Sequence, residues 1–316
     1  MILTAAVATA LITNLTNVRK TVRRWRTPVP RSLRREARTA IRLALRCGRN
    51  IRQGASTTGV RWKGAIDPCT ATDEANEALV RRGLLAAFPA HAVMGEEECS
   101  GTDATPDLAP DVPTWIVDPI DGTQNFVHGF PVSAVSIGLS VNGAAVLGVV
   151  FDPHLDELYV AFRNHGAFLD GARLRPDKAT SLDAALVLID PGYEREAVEK
   201  LSALYRNLLK AKTRAIRAIG SSVLSVCAVA AGRASAFVIG LADGDAPKPW
   251  DWCAATLLAE EAGCVLEVLD DRRHVTTTKE STSSFDLMSK SILCACDPAL
   301  AADIRDRVLP FLESPL

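Results

Sequence analysis

The 316-residue chain carries 36 Lys and Arg against 37 Asp and Glu and is 48% hydrophobic, which supports a globular core of one large domain or two ordinary ones. The charge is unevenly placed: residues 1–35 hold eight basic and no acidic residues, so the remainder has 28 basic against 37 acidic, or −9. Such an acidic body argues against nucleic acid as a partner and suits a protein that holds divalent cations and lets them meet an anionic substrate.

At the N-terminus, residues 1–15 are apolar but short of the about 20 residues that a membrane span needs. Arg19, Lys20, Arg23, Arg24 and Arg26 follow, whereas a secretory signal carries its charge before the apolar run. The acid-free, Arg- and Thr-rich leader 1–33 resembles an organellar transit peptide. A membrane anchor, or an untargeted tail on a cytoplasmic enzyme, is the alternative, and membrane contact is expected only through residues 1–30.

Apolar residues at helical spacing predict a helix over 34–53, closed by Gly54, and a second over 73–88 with Leu79, Leu84 and Leu85 inward and its cap at residues 70–72. The Asp-, Pro- and Thr-rich stretch 102–113 reads as a loop. Trp115, Ile116 and Val117 form a short strand that stops at Asp118. Residues 134–139 and 144–151 are β-branched runs joined at Asn142 and Gly143, a hairpin signal. Strands at 158–162 and 167–169 follow, with Asp170 and Gly171 as the next turn.

After a boundary near 175–181 the pattern becomes α/β. It predicts strands at 185–189, 236–239, 265–269 and 291–295, and helices at 195–209, 223–231, 251–262 and 299–312. The eight cysteines (47, 69, 99, 227, 253, 264, 294 and 296) are scattered without a paired C-x-x-C. They read as reduced thiols, several inside apolar stretches where Cys serves as a small core residue.

The most informative stretch is Asp118, Pro119, Ile120, Asp121, Gly122 and Thr123. It sets two carboxylates three residues apart at the end of a buried strand, with Pro119 fixing φ and Gly122 permitting a tight turn. Such a turn can aim both carboxylates and the Ile120 carbonyl at one point, a hard-oxygen set that suits Mg²⁺. The Gly122 and Thr123 N–H groups would then receive a phosphate. A plain Asp/Gly turn is the alternative for this stretch alone. Glu96 after a strand, Asp251 opening a helix and Asp73 in a first helical turn add acidic candidates, though a solvated charge, an N-cap and a favourable helix dipole would explain each separately.

Together these residues resemble the inositol monophosphatase-like, lithium-sensitive magnesium phosphatases. The resemblance runs through W-I-V-D-P-I-D-G-T-Q-N-F-V-H at 115–128, F-P-V-S-A-V-S-I-G-L at 130–139, P-W-D-W-C-A-A at 249–255 and E-A-G at 261–263. T-A-T-D at 70–73, G-E-E at 95–97 and F-D-L-M at 285–288 also fit. The similarity covers about residues 34–312.

The resemblance implies a layered αβαβα sandwich of the inositol monophosphatase/fructose-1,6-bisphosphatase type. Its α+β metal-binding half would be residues 34–178 and its α/β half residues 179–316. It further implies that Glu96, Asp118, the Ile120 carbonyl, Asp121 and Asp251 bind Mg²⁺, and that Thr123 and Asp73, with Glu96, orient and deprotonate the attacking water. Lys63 would lie in the loop closing the metal site. Asp121, Gly122, Thr123 and Ser222 would contact substrate, and the enzyme would be a lithium-inhibited homodimer acting on inositol monophosphate.

Family members that use inositol phosphates carry a glutamate where this chain has Val238. The following segment is longer than usual, so Asp243 or Asp245 is expected either to replace that acceptor or to lie in a solvated loop. The alternatives are a phosphatase of histidinol phosphate, a sugar phosphate or a nucleoside bisphosphate, and a catalytically silent metal-binding regulatory protein.

Overall fold

The computed structural model describes residues 28–54, 59–63, 67–99, 108, 111–192, 198–240, 247–269, 275–277 and 285–309. Most of the leader, and Asp243 and Asp245, lie outside the described residues.

A 3-10 turn at Arg31–Leu33 leads into helix α1 (Arg34–Gly54). The short antiparallel pair β1 (Arg61–Trp62) and β2 (Pro68–Cys69) precedes α2 (Ala71–Ala87). Then come β3 (Ala92–Gly95), the one-turn α3 (Glu96–Cys99), β4 (Thr114–Asp121) and α4 (Thr123–Val127). Strands β5 (Ala134–Val141), β6 (Ala144–Asp152), β7 (Glu157–Phe162), β8 (Gly166–Leu169) and β9 (Ala172–Arg173) complete a seven-stranded sheet in sequence order from β3. The β3/β4 pair is parallel and the others are antiparallel. The hairpin at Asn142 (φ 53°) and Gly143 (φ 76°) has positive φ at both central residues, as its sequence requires.

The second sheet is mixed, in the order β11-β10-β12-β15-β13-β14. Its strands and helices run β10 (Leu186–Ile189), α5 (Val198–Lys210), β11 (Ala215–Arg217), α6 (Ser222–Ala230), β12 (Ala236–Ile239) and α7 (Pro249–Ala262). They end with β13 (Val265–Val268), β14 (Val275–Thr277), β15 (Ile292–Ala295) and α8 (Pro298–Val308). No helix among the described residues is long and apolar enough to cross a membrane.

Both faces of the first sheet are buried, which is why its strands read as continuous apolar runs rather than as alternating ones. Trp115 and Val117 enter one core with Ala40, Ala44 and Ile51 of α1 and with Val80 and Leu84 of α2, while Ile116 between them enters the other. That second core is shared with α6, α7 and the second sheet. The layers are therefore α1/α2, sheet, α6/α7, sheet, α5/α8. Gly138 and Gly148 pair across β5 and β6 where α7 lies closest. A Cβ at Gly148 would sit 2.7 Å from the Ala254 carbonyl oxygen and one at Gly138 2.4 Å from Cys253 Sγ, so only glycine lets α7 approach there.

Four details differ from the sequence reading. Leu85 is exposed, and Val80 takes the inward place, because Val80 and Leu84, four residues apart, share the face that packs on α1 and the first sheet, which Leu85 leaves. Strand β4 does not stop at Asp118 but continues to Asp121 through a register shift. Asp251 does not open its helix: Pro249 does, leaving Asp251 as the third residue. Strands β1, β2, β11 and β14 are too short to register as periodic runs and gave no signal. The cysteines are all free.

Candidate active site

Asp118 and Asp121 sit at the irregular end of β4, where the bulge turns both carboxylates to one side, and Asp251 arrives from the first turn of α7. One carboxylate oxygen from each of these three residues lies within 4.8 Å of the others. Each carboxylate is also held by the chain around it. The Ile120 N–H donates to Asp118 Oδ1 at 2.9 Å, and the Lys248 N–H donates to Asp251 Oδ2 at 2.7 Å. Ser221, the N-cap of α6, donates its hydroxyl to Asp121 Oδ2.

Gly122 follows at φ 85°, a left-handed conformation, and caps α4. A Cβ there would also lie 2.9 Å from the Val132 carbonyl oxygen, so the position excludes other residues twice over. The cluster is strongly uncompensated. Burial raises the Asp118 carboxyl well above its usual range, and the charges of Glu96, Asp121 and Asp251 add to that. Burial, then Asp121, does the same to Asp251. Burial also brings Asp121 to about 7, opposed by its bonds to Ser221 and the Val223 N–H.

Beside this cluster lies a second arrangement. Asp73 caps α2 from inside the helix: its Oδ2 accepts the Thr70 N–H at 2.8 Å and the Thr70 hydroxyl. That leaves Oδ1 for Thr123, whose hydroxyl lies 3.1 Å from it and 2.8 Å from the Ile120 carbonyl oxygen. Burial raises Asp73 to about 7, against the lowering effect of the Thr70 bonds. Asp73 thus lies in the first turn of α2, where the helix dipole favours it, closes the capping box with Thr70, and presents the same carboxylate to Thr123.

Glu96 opens α3 and hydrogen-bonds with Asp118. Lys63 Nζ reaches both Glu96 Oε1 at 2.8 Å and Glu97 Oε1 at 2.7 Å, so this lysine neutralises the rim of the acidic cluster. The N-terminus of α3 is held from a neighbouring helix, with the Glu97 and Glu98 N–H groups donating to Glu77. Of the expected site residues, Asp73, Glu96, Asp118, Ile120, Asp121, Thr123 and Asp251 converge in this way. Ser222 is the first residue of α6, and its neighbour Ser221 makes the contact to Asp121.

Sequence reasoning missed three contributors. Asn125 Nδ2 lies 2.7 Å from the Ile219 carbonyl oxygen, 2.9 Å from that of Val132 and 3.0 Å from that of Gly220, tying α4 to the turn that leads into α6. Ser221, next to the expected Ser222, caps α6 and bonds Asp121. Asp190, just past β10, accepts N–H bonds from Gly192 at 3.1 Å and from Gly220. Its own N–H donates to the Val238 carbonyl oxygen at 3.4 Å, so its backbone adjoins the position where the expected glutamate is missing, and its charge acts on Asp121 and Asp251. A lone Asp before Pro191 and Gly192 carries no signal beyond a turn.

Comparison with known proteins agrees with this geometry. The model of the inositol monophosphatase family matches residues 32–309. The chain is 38% identical over 255 residues to inositol monophosphatase 2 of Solanum lycopersicum, covering 80% of this chain and 90% of that one. It is 40% identical over 233 residues to human inositol monophosphatase 2, covering 72% and 78%. Among solved structures, the extragenic suppressor protein SuhB from Bartonella henselae superposes with a TM-score of 0.72 at 26% identity, covering 89% of this chain and 99% of that one. A buried acidic cluster at the W-I-V-D-P-I-D-G-T strand end, matched over nearly the whole folded region, places this chain in the inositol monophosphatase family of phosphoric monoester hydrolases.

Proposed function

We propose that this chain is a Mg²⁺-dependent phosphatase of a small polyol phosphate, inositol monophosphate first among them. The observation that carries the reading is the convergence of Asp118, Asp121 and Asp251 carboxylate oxygens within 4.8 Å inside the protein. Three carboxylates so close, two buried and Asp251 half-buried, repel one another unless protons or a cation compensate them. Their all-oxygen, hard-donor character fits Mg²⁺, with Glu96 and the Ile120 carbonyl as further ligands. When bound, the metal would acidify a water molecule and neutralise charge on the phosphoryl oxygens.

The chain's own residues supply the rest. Thr70 fixes one oxygen of Asp73, so the other is held toward Thr123, and a carboxylate with a pKa of about 7 is a competent base near neutral pH. The Thr123 hydroxyl, donating its hydrogen bond to Asp73 or the Ile120 carbonyl, presents a lone pair that orients water. Gly122 and Thr123, where α4 begins, offer backbone N–H groups to the phosphate. We assign the metal-binding half to residues 34–178 and the completing half to 179–316; the Asp121 to Ser221 bond supports a site formed between them.

The names of the relatives support inositol monophosphate as substrate. One observation favours another ester of the same class: Val238 is wholly buried in β12 and offers no acceptor, while the carboxylate of the adjoining strand end, whose charge acts on Asp121 and Asp251, is that of Asp190. A phosphate-release screen decides, using inositol monophosphates, histidinol phosphate, sugar phosphates and nucleoside bisphosphates with and without Mg²⁺. Highest kcat/KM on inositol monophosphate supports the first reading, and no Mg²⁺-dependent release from any ester sinks both. Lithium inhibition and a homodimer belong to the same proposal, checked by LiCl titration and by sizing in solution.

A further inference from the structure

Seven of the chain's 36 basic residues lie on one helix, α1. At about 100° per residue, all seven arginines of α1 fall within an arc of about 120°, and all are exposed. Arg34, Arg38, Arg42 and Arg46 follow one another at four-residue steps along it. The opposite face of the helix, with Ala40, Ala44 and Ile51, is buried against the first sheet. Glu36 is the one acidic residue of α1, and its Oε2 is buried away from the arginine face.

Among the described residues little answers this charge. Among the described residues a single carboxylate pairs with the face, Asp156 at 3.6 Å from Arg52, in a half-exposed ion pair of small value. Arg35 is spent on the Ala87 carbonyl and the Phe88 ring. Like charges four residues apart destabilise a helix, so the stripe is maintained against its own repulsion. Its first two turns also border a groove of about 450 Å³ lined by Arg31, Arg34, Arg35, Arg38, Arg42 and Ala87, where a phosphate-bearing group would meet several guanidinium forks at once.

We propose that the arginine face of α1 docks the protein on the surface of an anionic lipid bilayer. The stripe is straight for about 30 Å, as a plane requires. No aromatic residue occurs between residues 31 and 54, so the face has nothing on which nucleic-acid bases would stack. The chain before it carries five more basic residues between 19 and 26, preceded by the apolar residues 1–15. An apolar segment joined to a polybasic one is the two-part arrangement that holds proteins at membranes, where each cation near an anionic surface adds to binding. The acidic remainder would face away from the bilayer.

The test is co-sedimentation of the full chain with vesicles of phosphatidylcholine alone and of phosphatidylcholine mixed with phosphatidylserine. The expected result is binding to the mixed vesicles only, weakened by salt, and at least about tenfold weaker in Arg34→Gln/Arg38→Gln/Arg42→Gln/Arg46→Gln. Melting temperature and phosphatase turnover of that variant should match the parent. Should the fourfold variant fail to fold, Arg34→Gln/Arg38→Gln is expected to show an intermediate loss. Equal binding by variant and parent would assign the contact to the leader and overturn the proposal. So would equal binding to neutral vesicles, or release from anionic vesicles by single-stranded RNA at matched phosphate concentration.

Discussion

The hydroxyl of Thr123 lies 3.1 Å from Asp73 Oδ1, joining side chains 50 residues apart. Thr70 occupies the other oxygen of Asp73, so the carboxylate cannot turn away without breaking the cap of α2. If the two act as one relay, Thr123→Ala and Asp73→Asn each lower kcat by about 10²- to 10⁴-fold with little change in KM. The double variant should then be little worse than either single one. Steady-state kinetics would reject the relay if the losses multiplied.

The acidic cluster ties stability to pH and to metal. Burial raises Asp73 and Asp121 from 3.8 to about 7 and raises Asp118 and Asp251 well above the usual carboxyl range, so each binds its proton more tightly folded than unfolded. Their contribution to stability is complete below the unfolded value of 3.8 and is lost as pH rises through about 7. Metal-free protein should therefore melt at a lower temperature at about pH 8 than at about pH 5.5, and Mg²⁺ should recover the difference at the higher pH. Asp118→Asn should raise the metal-free melting temperature at that pH while abolishing turnover. A metal-free melting temperature that climbs with pH over this window would contradict the account.

Ser221 serves two elements, capping α6 through the Leu224 N–H at 3.1 Å and donating to Asp121. Its truncation in Ser221→Ala removes a cap and a donor to a buried carboxylate, a loss of about 2 kcal/mol. Urea unfolding should register that loss, and half-maximal activity should require more Mg²⁺. Unchanged stability would mean that water replaces the hydroxyl.

Two glycines should respond differently to alanine. At Gly148 the new Cβ meets Ala254 backbone atoms at 2.7 and 3.0 Å, which cannot yield without moving α7, at a cost of about 1–3 kcal/mol. At Gly83, inside α2, it meets Leu43 Cδ2 at 2.6 Å, the end of a side chain that can rotate. The helical preference for alanine, up to about 1 kcal/mol, offsets that adjustment. Comparable losses at both sites in denaturant melts would show that the packing of α7 is not what selects glycine at 148.

Asp190 offers a test of substrate choice. If its carboxylate receives substrate hydroxyls, Asp190→Asn raises KM for inositol monophosphate about tenfold and leaves KM for p-nitrophenyl phosphate, which has no such hydroxyls, unchanged. A purely structural role in holding the Gly220 turn would instead lower kcat on both esters together.

The residues for this chemistry were legible in the chain because they are concentrated. W-I-V-D-P-I-D-G-T places two carboxylates, a carbonyl and a hydroxyl within one strand end, and local backbone geometry suffices to bring them together. The hairpin at Asn142 and Gly143 and the capping of α2 were legible for the same reason, since each depends on neighbours in sequence. Tertiary structure alone decided the rest. That Asp251, already named by the resemblance, reaches the cluster, that Ser221 holds Asp121, and that the Asp190 backbone lies beside Val238 all depend on how the second sheet and α7 pack against the first. The charge pattern divides in the same way. The arginines were countable from the start, but only the burial of one side of α1 against the first sheet turned them into a single exposed face. Composition records how many charges a chain has, while packing determines which of them point the same way.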